Sequence, residues 1–345
     1  MLLIPRIETT IGWVGCPWSM ESSPLDLEIH RIVTDSDLDG VVTGAILRRY
    51  WTKAEVVFGH PGQLRAGLLD EMIDRTTAIC DLPMHPKCGL SIDHHQSNKP
   101  MGSNAEGCIV VWEESPSAAR IAFEVFSESL DLSDLNELLH WVDKLDGGGI
   151  SREDFLSENP ALLLSRVIDS GEDIAMRVLE FIQDGVAIED ILSDYQISSL
   201  VEEKRIQMES LSDVIRERME VHDRLALVRL DGLGIRSNGY HVTAMAGDEC
   251  DACVIIHGDI GASFGDTEGY PLSASFYTNS FLHLEGGIFD LTRLATRFDP
   301  DGGGHANACG CRIKPIGQQG IEDRQVSEED IERNVEVWKK MWSKR

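Results

Sequence analysis

The chain has 345 residues, enough for two domains that each bury a core, and its 42% hydrophobic and 26% charged residues exclude a mainly disordered protein. With 59 acidic against 31 basic residues the formal net charge is −28, so no basic stripe can track a long double-stranded nucleic acid. Any anionic substrate must be short or held through bound cations, while the acidity itself fits either solubility or a salt-adapted proteome.

Residues 1–27 read as an N-terminal extension. Their opening, MLLIPRIETTIGW, is broken by Arg6 and Glu8 before an apolar run of signal-peptide length can form, and no run of about 18 apolar residues follows anywhere, so no membrane span is expected. From residue 30 to about 112, short apolar runs alternate with amphipathic stretches. HRIVTD, AEVVFG, TTAICD, GLSIDH and CIVVW read as strands; VVTGAILRRYW, QLRAGLLDEMI and SAARIAFEVFSESL have helical spacing. This rhythm predicts an α/β fold with a doubly wound parallel sheet, in a domain over residues 28–200 whose later part is mostly helical. A charged helical stretch over 201–221 serves as linker. Residues 222–345 form a second, smaller α/β domain, with strand-like RLALVRL, DACVIIHG and PLSASFYT, helical FDLTRLATRF, a DGGGH cluster and a closing amphipathic helix.

Eight cysteines are spread along the chain rather than set in a disulfide framework, which predicts reduced thiols and a cytoplasmic protein. Cys250-x-x-Cys253 and Cys309-x-Cys311 have zinc-like spacing but lie in apolar, strand-like surroundings, so buried structural cysteine is the preferred reading.

The stretch DSDLDG, Asp35 to Gly40, begins like a calcium loop. That reading fails at the twelfth position, where Ile46 stands in place of glutamate, and an apolar strand rather than a helix precedes it. In an extended segment Asp35, Asp37 and Asp39 face one side, at the carboxyl end of the first strand, where open α/β sheets hold ligands. A solvated turn explains the motif alone equally well. The other strand ends decide against it: TTAIC ends in Asp81, GLSI ends in Asp93-His94-His95, and the apolar LLHWV runs into Asp143, with Asp146 just beyond. Carboxylates with one or two imidazoles suit Mn²⁺ or Mg²⁺, and two such ions about 3.5 to 4 Å apart form a centre for in-line attack on phosphorus.

The ordered set DSDLDG, Asp81, DHH at 93–95, Asp143 and GGGHANACG at 302–310 resembles the DHH phosphoesterase superfamily with its C-terminal DHHA1 domain, small oligoribonuclease-like members in particular. The resemblance spans roughly residues 30–315. It implies two Mn²⁺ (or Mg²⁺) ions on Asp37, Asp39, Asp81, His94 and Asp143, with Asp81 bridging. Asp35 occupies the place where many members have a histidine ligand. Asp146 is the alternative to Asp143. His95 would contact the scissile phosphate, and Asp93 would orient the imidazoles. Gly302, Gly303, Gly304, His305 and Gly310 would close over the substrate and grip its phosphate or nucleotide. The arginine of a Ser-x-Arg-Ser-like strand is missing from Ser273–Thr278, so either Arg293 or Arg297 replaces it or the substrate is gripped differently.

The expected activity is thus Mn²⁺-dependent hydrolysis of a small nucleotide: a short oligonucleotide, a linear dinucleotide or a 3′-phosphonucleotide. The alternatives are an exopolyphosphatase or pyrophosphatase, or a non-catalytic nucleotide-binding module. A homodimer stays open.

Overall fold

The computed structural model describes residues 23–100, 107–263 and 269–345. In chain order its elements are β1 (Arg31–Thr34), α1 (Leu38–Tyr50), β2 (Glu55–Phe58), α2 (Pro61–Arg65), β3 (Thr77–Cys80), β4 (Leu90–Asp93), β5 (Ile109–Trp112), α3 (Ala118–Phe126), α4 (Asn136–Asp146), α5 (Arg152–Leu156), α6 (Pro160–Ile168), α7 (Glu172–Gln183), α8 (Ile188–Leu192) and α9 (Tyr195–Arg218). There follow β6 (Met219–His222), β7 (Leu225–Arg229), α10 (Gly239–Ala246), β8 (Ala252–His257), β9 (Ser273–Thr278), α11 (Thr292–Ala295), β10 (Gly303–His305), β11 (Ala308–Arg312) and α12 (Glu328–Trp342). The chain divides into two units. The first runs to Gly149 and resumes over Glu158–Lys204; the second comprises Ile150–Ser157 and Arg205–Arg345. The expected extension at 1–27 lies almost wholly outside the described residues.

The first unit is built on a five-stranded sheet of order β2-β1-β3-β4-β5 in which every pairing is parallel. β3 and β4 are buried at every position, as strands covered on both faces must be. One face carries the larger core, where Ile32, Leu90 and Ile92 pack with Val42, Ile46, Phe126 and Val178 from the surrounding helices. On the other face Val33 and Ile79 pack with Leu64, Leu69, Ile73 and Leu82. β2 flanks β1 on one side and β3 to β5 follow on the other, so the winding reverses between β1 and β3. The crevice at the carboxyl ends of such a pair is where doubly wound sheets bind ligands.

The helix expected over QLRAGLLDEMI stops at Arg65 and gives way to turns, because Gly67 adopts φ 72°, a conformation that glycine enters without steric cost. LLHWV lies inside α4 rather than in a strand.

The second unit has a six-stranded sheet of order β10-β11-β9-β8-β7-β6, parallel only between β7 and β8. Phe276, Leu294, Ile331, Trp338 and Trp342 pack on one face, and Ile215, Val228, Val242 and Ile255 on the other. Cys309 and Cys311 belong to the first of these cores, Cys250 and Cys253 to the second, so the sheet separates the two pairs and they cannot form one four-thiolate site. The glycine cluster is not a turn: Gly303–His305 form β10, paired antiparallel with β11.

Candidate metal centre

Gly40 explains why the first motif ends in glycine. A Cβ there would lie 2.2 Å from the Asp35 carbonyl oxygen, so only glycine lets the first turn of α1 pass so close to the end of β1. Asp37 caps α1, its Oδ1 accepting the Gly40 N–H at 2.9 Å. Asp39 lies in the first turn and is 2% exposed. Its two oxygens accept the N–H groups of Ala118 and Ala119, each at 2.7 Å, and thereby cap the start of α3. Asp35 sits at the rim, with its Oδ1 accepting the Ser36 N–H at 2.7 Å.

Asp81 follows β3 with φ 57°, a left-handed conformation uncommon outside glycine. Its side chain is buried and its Oδ1 has no hydrogen-bond partner. Such strain, held by the surrounding fold, marks positions where a side chain is aimed for a purpose.

His94 shows what that purpose is. Its Nδ1 lies 3.0 Å from the Ser115 carbonyl oxygen, which can only accept, so Nδ1 carries the proton and the neutral ring has a bare Nε2. That Nε2 is buried without a hydrogen-bond partner, while Asp146 Oδ2 lies at 2.8 Å and Asp39 Oδ2 and Asp81 Oδ1 each at 3.7 Å. Among three carboxylates that nitrogen calls for a positive charge, a proton in the metal-free chain or a metal ion in its place, and a backbone carbonyl behind the ring is the usual support of a metal-bound histidine. Two sets of close ligand atoms, each within 4.8 Å, occur among the described residues: Asp81, His94 and His95, and Asp39, His94 and Asp146. Without cations the crowding is costly. Burial and the neighbouring carboxylates push Asp37 up to about 6, Asp39 up to about 7 and Asp81 well above the usual range. For His94 burial opposes charge, yet Asp146 and its neighbours raise it to about 9. The donor set, with its orphaned buried atoms, fits divalent cations of the oxygen-preferring kind.

His95 is turned differently. Its Nδ1 lies 2.8 Å from Asp93 Oδ1, which also accepts the His95 N–H at 3.0 Å, and Asn98 Nδ2 donates to Asp93 Oδ2 at 2.7 Å. Trp112 Nε1 donates to the His95 carbonyl at 2.9 Å. The ring is thus fixed by its Nδ1 side, with 45% of the side chain exposed.

Asp143 is not brought to the cluster. Its Oδ1 accepts from Ser117 Oγ at 2.7 Å, and its Oδ2 accepts from Nε and Nη2 of Arg120. It ties α4 to α3, and Asp146, three residues on and nearly one helical turn later, faces His94 instead. The structure thus brings Asp146 rather than the preferred Asp143 to His94: an apolar run in a helix presents both carboxylates, and helical phase turns the second toward the ring. Reading the sequence alone also missed Ser115, Asn98 and His60. His60 stands just past β2 at the same sheet edge, with Nδ1 accepting the Gly62 N–H at 3.1 Å.

The glycine motif lies wholly in the second unit. Gly304 has φ 136° and a Cβ there would stand 2.7 Å from the Ala308 carbonyl oxygen; His305 is exposed. Gly310 pairs with Ser275, whose Oγ lies 3.0 Å from Nε2 of the buried His257. Of the two arginines weighed as replacements for the missing one, Arg293 stacks on Phe289 and Arg297 on Phe298.

No family model matches the chain, and no curated protein matches it in sequence. Among solved structures, the pGpG-specific phosphodiesterase PggH of Vibrio cholerae superposes with a TM-score of 0.72 at 22% identity, over 90% of this chain and 98% of that one. RecJ of Thermus thermophilus in complex with Mn²⁺ gives a TM-score of 0.48 at 13% identity, over 91% of this chain and 52% of that one, a likeness too loose to argue from. The chain thus shares its fold with this phosphodiesterase over both units, in keeping with the order of the motifs along the sequence.

Proposed function

We propose that the chain is a divalent-metal-dependent phosphodiesterase that cleaves a short linear dinucleotide to mononucleotides. The observation that carries this reading is the buried Nε2 of His94 set among the carboxylates of Asp39, Asp81 and Asp146, at the reversal point of a parallel sheet. Asp37, Asp39, Asp81, His94 and Asp146 would hold Mn²⁺ or Mg²⁺, with Asp35 at the rim. Such ions, when bound, supply Lewis acidity toward a phosphoryl group and lower the pKa of water.

The chain's own residues do the rest. Asp81, aimed by its left-handed backbone, joins the His94 side of the cluster to the Asp37 side. Asp93, held by Asn98, keeps the His95 ring in one orientation, so that its Nε2 is the edge left to meet a phosphate oxygen. In the second unit, Gly302, Gly303, Gly304, His305 and Gly310 offer closely approachable backbone N–H groups for an anion. Size follows from charge: at −28 the chain has no basic track for a polymer, which supports a substrate of a few phosphates. PggH, which shares this fold over nearly its whole length, is by its name a pGpG-specific enzyme, and that supports the linear dinucleotide over the other small nucleotides.

The test is a Mn²⁺-supplemented screen of a linear dinucleotide, a cyclic dinucleotide, a 3′-phosphonucleotide and inorganic polyphosphate. Mononucleotide release from the linear dinucleotide is expected. Phosphate release from polyphosphate alone would favour the exopolyphosphatase, and binding without turnover of any substrate would favour a non-catalytic module.

A further inference from the structure

Cys88 and Cys108 stand at the starts of two neighbouring parallel strands, β4 and β5, whose register pairs Leu90 with Ile109. Their Sγ atoms are 3.3 Å apart. A disulfide bond is about 2.05 Å long, so closing the gap of about 1.3 Å takes a modest turn of the two side chains. Cys88 is fully buried and Cys108 is partly exposed. The two thiols share a hydrogen bond, which holds Cys88 below the ordinary thiol range and pushes Cys108 up. Arg75, whose Nη1 donates to the Cys88 carbonyl at 2.5 Å, adds a positive charge that favours the thiolate form of both. The buried Cys253 is a contrast: it lies in an apolar core, and burial raises its pKa well above the ordinary value.

We propose that Cys88 and Cys108 form a reversible redox pair, closed to a disulfide by a hydroperoxide and reopened by a dithiol. The peroxide oxidises one of the two sulfurs to a sulfenic acid and is itself reduced to one water. The other sulfur then attacks it, the S–S bond forms, and the displaced hydroxyl leaves with a proton as a second water. In sum, two thiols and one peroxide give one disulfide and two waters. The covalent ring so closed runs from residue 88 to 108 and contains Asp93, His94 and His95. Oxidation therefore ties down, at the opposite ends of the strands, the segment that carries His94 and His95. This holds whether or not the phosphodiesterase reading is right.

The test treats the full chain with hydrogen peroxide, without denaturant, and maps cysteine pairing by mass spectrometry of a non-reduced digest. A Cys88–Cys108 cross-linked peptide, lost on adding dithiothreitol, is expected. The guanidinium unfolding midpoint should rise on the order of 0.5 M on oxidation, and the C108S variant should show neither the cross-link nor the shift. The proposal is overturned if both thiols stay free, if either pairs with another cysteine, or if C108S gains the same resistance to unfolding.

Discussion

Asp143→Ala and Asp146→Ala should fail in opposite ways, although the two residues are three positions apart on one helix. Asp143 accepts from Ser117 Oγ and from two nitrogens of Arg120, whose side chain is 29% exposed. Charge-assisted hydrogen bonds that are partly screened contribute about 1 kcal/mol each, so D143A should lower stability by about 2 to 4 kcal/mol while leaving metal affinity within a few-fold. Asp146 instead makes a close contact with His94 Nε2 inside a group of repelling carboxylates. Removing it relieves repulsion on Asp39 and Asp81 but also takes away the partner of the protonated His94, so the two effects oppose and metal-free stability should change by less than about 1 kcal/mol. The cost falls on the cation site, where loss of a ligand should weaken binding by at least about 10- to 100-fold, the range already seen for residues that only support a ligand. Calorimetric Mn²⁺ titration and guanidinium unfolding of both variants, the latter with metal removed, provide the two readouts. The reasoning is refuted if D143A folds with wild-type stability and no longer binds Mn²⁺, or if D146A binds it as tightly as the wild type.

G40A should be poorly tolerated, because the new Cβ meets backbone rather than a movable side chain; a loss of about 2 kcal/mol or more is expected in chemical unfolding. His95→Ala should lower turnover of a linear dinucleotide by about 100-fold or more while Mn²⁺ affinity stays within a few-fold, which single-turnover assays and calorimetry can separate. Asp330 is fully buried and accepts from Arg324, from Ser327 N–H and Oγ, and from the Ile316 N–H. The Arg324 guanidinium beside it holds its carboxyl well below the usual range. A lowered folded pKa means that the unfolded chain binds the proton more readily, so this stabilisation is fully present above about pH 4 and is lost as pH falls through the folded value. Unfolding of D330N across pH should therefore show a deficit of about 3 kcal/mol near neutrality that narrows below pH 4.

The strands of the first unit are legible because each is a short apolar run between turn residues, and sheet order then follows from their alternation with helices. Asp37, Asp39, Asp81 and His94 stand out for the same reason: they sit at or just beyond the carboxyl ends of such runs. What the chain hides is phase and distance. LLHWV fits a strand or a helix by composition, and only the helical register of α4 turns Asp146 rather than Asp143 toward His94. The capping of α3 by Asp39 joins residues 79 and 80 positions apart, and no local pattern announces it. Gly303–His305 become a strand through pairing with β11, against the low strand propensity of glycine. Ser115, whose carbonyl fixes the His94 tautomer, contributes a backbone atom that any residue could supply.

The central claim is that the cluster around His94 is a cation site. Its most direct test is Mn²⁺ binding to the metal-stripped chain, followed by the electron paramagnetic resonance of the free ion, in the wild type and in D81N. Saturable binding in the wild type that weakens by at least about 100-fold in a folded D81N is the predicted result. Equal binding by both, or none by the wild type, would contradict it.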